Sequence, residues 1–426
     1  MTKSDNLYKF YTQLLKDELV PAMGCTEPIA LALAAARARQ LLGEIPESVS
    51  VQVSPSIIKN VKSVIVPHTG HLKGIPAAVA AGIVVGNADN QLEVLSKVSG
   101  DEYPAISRFL ETTEIDVIPL YDGAVFDIIV TVYKSGNRAR VRISNKHTNI
   151  VLLEKNGEVL LEREILRDAE RGDPAPPVNM RMQDIWEYVG SVDIEDIKPT
   201  LKRQIEYNMA IAEEGIKNDY GANIGKVLLE TQGDNVRVRA KAYAAAGSDA
   251  RMNGCEMPVI INSGSGNQGM TASIPVIIYA KELGVSEDKL YRALALSNLT
   301  AIYQKTPLGR LSAYCGAANA GTAAGAAIAY LHGGDYHTII HTIVNSLAVV
   351  SGMICDGAKA SCAAKIVLSV ESGILGYEMA KCGQQFRAGD GIVLKGVDAT
   401  INAVGRLGKD GMRETNEEII KMMLGC

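Results

Sequence analysis

Residues 311–368 read LSAYCGAANAGTAAGAAIAYLHGGDYHTIIHTIVNSLAVVSGMICDGAKASCAAKIVL, a small-residue stretch that carries three of the chain's seven cysteines. Cys315, Cys355 and Cys362 lie among Gly and Ala (CGAAN, ICDGAK, ASCAAK), where the lack of bulk lets backbone approach a compact anionic object. On one unbroken helix Cys355 and Cys362 would share a face yet stand about 10.5 Å apart along the axis, far for one cluster. Asp356-Gly357 is a turn dipeptide, so the spacing predicts a break at Cys355 and places Cys362 in the first turn of the next helix. The free N–H groups and positive end of that helix then face the thiols. An antiparallel helical pair brings Cys315 back from 40 residues earlier in the chain. Three thiolates on one iron-sulfur cluster would leave one iron open to substrate. Against this, cysteine often only fills space, and no pair here has a CxxC or common ferredoxin spacing.

At 426 residues the chain has room for two or three domains, and 47% hydrophobic with 21% charged residues describes a soluble globular protein. A net charge of −5, a pI near 5.8 and the lack of basic runs interleaved with aromatics argue against nucleic acid as the main partner. One Trp and four Phe leave the core to aliphatic residues and alanine. Charges interrupt every apolar run of the first 20 residues, so no signal peptide is read there. The nearest approach to a membrane span, Thr338 to Ile354, contains His341, Asn345 and Ser346. An odd number of scattered cysteines suits a reducing compartment, and a cytoplasmic protein is expected.

Residues 4–20 read as an amphipathic helix. PAMGCTEP, residues 21–28, is a tight connection into the alanine-rich helix Ile29 to Leu42. Cys25 therefore stands at a helix N-terminus, with Thr26 as a possible cap and Pro28 near the first helical position. That placement is expected to lower its thiol pKa, and a buried cysteine beside a cap is the plain alternative. Residues 48–165 change character. SVSVQVSP, SVIVP, EVLSKV, IDVIPLY, AVFDIIVTVYK, RARVRISN, TNIVLLEKNG and EVLLERE are short β-branched runs between turns, with helices near 75–86 and 101–112. Val125 to Lys134 and Ala139 to Asn145, joined by Ser135-Gly136-Asn137, form a hairpin. In NVKSVIVPHTGHLKG, residues 60–74, a strand ending in a Gly-rich loop that opens a helix suits an anion, which makes His68 and Thr69 candidates and leaves His71 solvated.

DAERGDPAPP, residues 168–177, reads as a linker. From Met182 onward the pattern is helical. The fold class is α+β: an all-α catalytic domain made of N-terminal helices (1–45) and the C-terminal half (178–426), with a strand-rich α+β domain (46–170) inserted. Within the helical half, Ser263, Gly264, Ser265, Gly266, Asn267 and Gln268 form a Gly/Ser/Asn loop that suits a carboxylate or phosphate, although such loops are also ordinary linkers. Lys305 and Arg310 before Cys315 could neutralise a substrate carboxylate or the cluster, or Lys305 could be a solvated helix end. Cys426 could fold back toward a metal site and is expected to be disordered instead.

The motifs MGCTEPIALA, VPHTGHLKGIPAA, NSGSGNQG, GRLSAYCGAANAGTAAG and MICDGAKASCAAK together resemble the iron-sulfur L-cysteine desulfidase and serine dehydratase alpha-like family, in its bacterial UPF0597-type branch, along nearly the whole chain. The resemblance implies an oxygen-sensitive lyase with a [4Fe-4S] cluster and no pyridoxal phosphate. It makes Cys315, Cys355 and Cys362 the cluster ligands and Cys25 the catalytic base. The expected reaction is β-elimination of L-cysteine to sulfide, pyruvate and ammonium, with the substrate carboxylate on the Ser263–Gln268 loop and a cation, Arg310 or Lys359. L-serine dehydration is the alternative. The expected partner is a small amino acid, with no nucleic acid and no membrane, in a homo-oligomer. A pyridoxal phosphate eliminase fits the GSGNQG loop but lacks the alternating β/α pattern, and a non-catalytic iron-sulfur redox sensor would use the same cysteines without turnover.

Overall fold

The computed structural model describes residues 1–165, 179–309 and 312–424, so the segment read as a linker lies outside the described residues, as do Arg310 and Cys426. The chain opens with α1 (Asn6–Glu18), β1 (Pro21–Met23) and α2 (Thr26–Leu42). It continues through β2 (Ser48–Val53), α3 (Pro55–Val61), α4 (Gly74–Val84), α5 (Tyr103–Thr112), β3 (Glu114–Pro119), β4 (Asp127–Lys134), β5 (Asn137–Ser144), β6 (Ile150–Lys155) and β7 (Glu158–Glu162). The helical half holds α6 (Met182–Ser191), α7 (Ile194–Lys217), α8 (Ile224–Gln232), α9 (Val236–Met252), β8 (Pro258–Ile260), α10 (Gly266–Glu282) and α11 (Glu287–Lys305). It ends with α12 (Gly316–Leu331), α13 (Tyr336–Val350), α14 (Cys362–Lys381), α15 (Val397–Arg406) and α16 (Arg413–Leu424). The fold is α+β, with a six-stranded sheet beside a helical assembly.

The sheet order is β3-β2-β4-β5-β6-β7, with β2 and β3 parallel and the other neighbours antiparallel. Val49, Val51 and Val53 alternate inward along β2, the period-two pattern of a strand with one covered face. The β4–β5 turn is Ser135-Gly136, and both residues have positive φ (48° and 82°), as a two-residue hairpin loop with the sheet's own twist requires. Two β-branched runs are not strands. EVLSKV follows a 3-10 turn (Ala88–Glu93) and buries Val94, Leu95 and Val98 from a loop, and SVIVP makes only an isolated bridge, Ile65 to Lys73, after the helix α3. Burial without a free sheet edge satisfies the same apolar side chains, so packing overrides strand preference here.

The N-terminal helices divide their packing. α1 rests on α6 and α7, whereas α2 lies between α4 and the sheet strands β4 and β5. Alanines around α2 are buried on all sides, and a side chain at Gly82 of α4 would reach within 2.2 Å of the Ala32 carbonyl oxygen. In the helical half α12 is central, touching α10, α11, α13 and α14. Gly325 within it serves helix packing: a Cβ there would stand 2.3 Å from the Gly373 carbonyl oxygen of α14. β1 and β8 form a small antiparallel ribbon, so the helical half is not purely α, and the ribbon ties the segment before Cys25 to the segment before Ser263. No helix among the described residues is long and apolar enough to cross a membrane.

Candidate functional site

The N-termini of α2, α10, α12 and α14 meet at one pocket; Cys25, Ser265 and Cys315 hold the N-cap positions of three of these helices, and Cys362 is the first residue of the fourth. Each helix start presents unpaired N–H groups and roughly half a positive charge, so the pocket favours an anionic guest before any side chain is counted. The cavity measures about 120 Å³ and is lined by Cys25, Cys315, Cys355 and Cys362 together with residues from both halves of the chain.

The three later cysteines are assembled by backbone. α12 and α13 form the helical pair that returns the chain, and Tyr314 and Ile354 pair in a short antiparallel bridge. The Cys315 N–H donates to the Met353 carbonyl at 3.0 Å, and the Cys355 N–H to the Ala313 carbonyl at 2.6 Å. Gly357 then turns the chain with φ of 91°, its Cα so close to α3 that a Cβ would meet the Lys59 carbonyl oxygen at 2.2 Å. Cys362 follows at the start of α14. Burial raises the Cys315 and Cys362 thiol pKa values, and the neighbouring Cys355 thiol raises both further.

No three His, Cys, Asp or Glu side chains among the described residues stand close enough to chelate a single ion. The donor set, three thiols gathered at one pocket, fits an iron-sulfur group. The Cys315 and Cys362 thiols, whose ionisation burial opposes, are relieved when metal replaces their protons. The small neighbours Gly316, Ala317, Gly357 and Ala358 leave the room.

At the start of α2 the Cys25 thiol donates to Glu27 Oε2 at 3.0 Å. Its pKa is not lowered, as the helix position alone suggested. Burial pushes it well above the ordinary thiol value and the Glu27 charge adds to that, with Arg251 opposing. Thr26 is not the cap either: Cys25 holds that position, and the Thr26 hydroxyl donates to the Gly264 carbonyl at 2.9 Å, fastening α2 to the Ser263–Gln268 loop. Glu27 is buried, which by itself would raise its pKa, yet the carboxyl is held below its usual range by the charge of His147 and by the Cys25 thiol. Asn60 Nδ2 donates to its other oxygen at 3.0 Å.

Ser263, Gly264, Ser265, Asn267 and Gln268 line the pocket. Gly266 does not line it; its missing side chain admits the guanidinium of Arg251, whose Nη1 donates to Asn267 Oδ1 at 3.2 Å and whose buried Nε has no partner among the described residues. Lys359 stands outside the lining and is tied up, 2.5 Å from Asp356 Oδ1 and donating to the Asp356 and Gly357 carbonyls. His68 and Thr69 also lie outside it. His68 Nδ1 faces the Val98 carbonyl at 3.2 Å and Glu256 at 3.4 Å, and the Thr69 hydroxyl donates to the Val66 carbonyl at 2.7 Å. Their loop acts one step back, since Pro67 packs against Gly24 just before Cys25. Lys305 is buried at the pocket and is not a solvated helix end.

Sequence reasoning missed Glu27, Asn60, His147 and Arg251, all of which line the pocket. His147 comes from the β5–β6 connection of the sheet, braced edge-on against Phe126 with ring centroids 4.6 Å apart. Glu27 had a signal in its distance of two residues from Cys25. Arg251 had none, because a basic residue in VRVRAKAYAAAGSDARM reads as a surface position.

The family model described as serine dehydratase alpha chain matches residues 89–421. The chain is 55% identical over 424 residues to a UPF0597 protein of Desulfitobacterium hafniense (strain Y51), covering 100% of this chain and 98% of that one. It is 50% identical over 418 residues to a UPF0597 protein of Lachnoclostridium phytofermentans, covering 98% and 100%, and 43% identical over 429 residues to one of Treponema denticola, covering 100% of both.

Proposed function

Because the chain belongs to the serine dehydratase alpha chain family, we propose that it is a [4Fe-4S]-dependent lyase that removes the β-substituent of a small L-amino acid, with L-cysteine as substrate and sulfide, pyruvate and ammonium as products. Family membership supports dehydratase-type elimination. The observation that carries the finer reading is the meeting of Cys25 with Cys315, Cys355 and Cys362 in one pocket at the starts of four helices.

Cys315, Cys355 and Cys362 would hold the cluster, which when bound supplies a Lewis acid at the iron without a protein thiolate. The chain's own residues account for the rest. Arg251 offers an unpartnered Nε and, with the first turn of α10, receives the substrate carboxylate in place of Lys359, which Asp356 holds. Cys25 faces the same pocket and takes the Cα proton. Phe126 and Ala317 give the pocket apolar wall, which limits competing water around the reacting atoms.

A second reading, L-serine as substrate, is favoured by the description of the family model itself. The deciding experiment is anaerobic: reconstitution with iron and sulfide, quantification of both, and assay of sulfide and pyruvate from L-cysteine beside pyruvate from L-serine. About four irons per chain with sulfide release is the expected result. Turnover on serine alone makes the protein a dehydratase, and a cluster without turnover on either makes it a sensor.

A further inference from the structure

We propose that Glu27 is the positioning residue and proton store behind Cys25: as the Cys25 sulfur takes the proton from the substrate Cα, its own thiol proton passes to Glu27 Oε2. This rests on the lyase reading above. The geometry that carries it is the 3.0 Å contact from Cys25 Sγ to Glu27 Oε2, made between two side chains that are both buried at the pocket. A preformed Cys25 thiolate beside an ionised Glu27 would bury two like charges in contact, which the site disfavours. A thiol already hydrogen-bonded to a carboxylate needs no such state. It can receive one proton while it gives up another.

The surroundings keep Glu27 ready to accept. Asn60 Nδ2 donates to Oε1 at 3.0 Å and the Cys25 thiol to Oε2 at 3.0 Å, so a donor on each oxygen orients the carboxylate. Three charged groups act on the pair. They are His147 from the sheet, Arg251 from α9 and the buried Lys59 from α3, all cationic or able to become so. Together they favour a carboxylate at rest over a thiolate. The negative member of the pair is therefore Glu27, and Cys25 is the relay.

The atoms balance. The Cα–H bond breaks and an Sγ–H bond forms; the original Sγ–H bond breaks and an O–H bond forms on Glu27. The Cα–H electron pair becomes the Cα=Cβ bond, and the electrons of the Cβ–S bond leave with the sulfur. The proton stored on Glu27 returns through Cys25 to the departing sulfur, which restores the starting state.

The test compares reconstituted wild type with Glu27→Gln and Glu27→Asp, reading iron per chain, turnover and the pH dependence of iodoacetamide alkylation at the Cys25 peptide. Gln keeps the size of Glu27 and accepts on one oxygen, but its NH2 group cannot accept on the other side and it cannot store a proton. The expected result for Glu27→Gln is unchanged iron, turnover down by about 100-fold or more, and an alkylation midpoint shifted to lower pH because the neighbouring negative charge is gone. Glu27→Asp should recover part of the turnover. A thiol that becomes easier to ionise while the enzyme becomes slower is not the signature of a merely structural residue. Unchanged turnover in Glu27→Gln would overturn the proposal, as would a joint fall in iron and turnover with an unshifted alkylation midpoint. A wild type that eliminates nothing from L-cysteine or L-serine removes the lyase reading and this role with it, an outcome visible before any variant is made.

Discussion

The guanidinium of Arg251 fills the space that a side chain at Gly266 would need: its Nε lies 2.3 Å from the position of an added Cβ. Gly266 is the first residue of α10, so the absence of one methyl group sets a fork of N–H donors against a helix N-terminus. Gly266→Ala is expected to displace the guanidinium and raise KM for the amino acid at least tenfold, with a smaller change in kcat. Arg251→Lys keeps the charge and loses the fork, and a fall in kcat/KM of about 100-fold is expected, a loss of roughly 2–3 kcal/mol in charge-assisted hydrogen bonding. Steady-state kinetics on the substrate identified above decide it, and an unchanged KM in both variants would remove Arg251 from carboxylate binding.

The two helices that carry Cys315 and Cys362 at their starts touch backbone to backbone. A Cβ on Gly373 of α14 would meet the Gly321 carbonyl oxygen of α12 at 2.2 Å. Gly373→Ala must push the helices apart, at a cost of about 1–3 kcal/mol for overpacking. Because the two helix starts then move relative to each other, iron per chain should fall along with Tm. Cys315→Ser is the contrasting variant, expected to lose iron with little loss of Tm in the iron-free protein. Melting curves and iron analysis of both proteins separate the two effects.

Asp249, two residues before Arg251 on α9, gives the clearest pH dependence. Burial raises its carboxyl from the ordinary 3.8 to about 6, although the Gly225 and Ile224 N–H groups stabilise the charged form. Between those values the folded state holds a proton that the unfolded state has released. The stability contributed by this group therefore falls as pH rises from about 3.8 through 6 and stays at its lower level above that. The full effect is about 3 kcal/mol at most. Asp249→Asn keeps an acceptor for Gly225 and cannot ionise. Its Tm should exceed that of wild type at pH 7.5 and approach it near pH 4, and parallel curves across that range would contradict the assignment.

Much of this was readable in the chain, for reasons that differ by residue. The β4–β5 hairpin declares itself because alternating β-branched residues flank Ser135-Gly136, and period and turn chemistry are local. Cys355 and Cys362 could be separated because Asp356-Gly357 is a local break. The cation was not readable. Whether Lys359 or Arg251 reaches a substrate depends on which charge is held in an ion pair: Lys359 is held by Asp356, while Arg251 donates to the Asn267 side chain and acts on Glu27 only through its charge. The thiol of Cys25 shows the same limit. Its helix position argued for a lowered pKa, and burial, reinforced by a carboxylate two residues along that turns back onto the sulfur, reverses the sign. His147 required knowing that the β5–β6 connection crosses to the start of α2, a contact with no sequence period behind it.

Lys59 is a buried ammonium that joins three parts of the chain. Its Nζ donates to the Cys355 carbonyl at 3.3 Å, the Ser312 carbonyl at 3.4 Å and Asn416 Oδ1 at 2.7 Å, so α3 holds both cysteine-bearing loops and α16 at once. The carbonyls belong to a ligand cysteine and to the segment leading into Cys315, and an ammonium there fixes backbone rather than side chain. Lys59→Met fills the same volume and leaves those acceptors unpaired, each at about 1–3 kcal/mol where water cannot reach. The loop should then open more often. The expected outcome is a several-fold faster loss of iron to a chelator, with iron per chain near normal immediately after reconstitution. Asn416→Ala removes only the contact to α16 and should speed the loss less. Identical chelation rates in wild type and Lys59→Met would show that the three contacts do not govern the cysteine loop, and equal acceleration in the two variants would assign the effect to α16 instead.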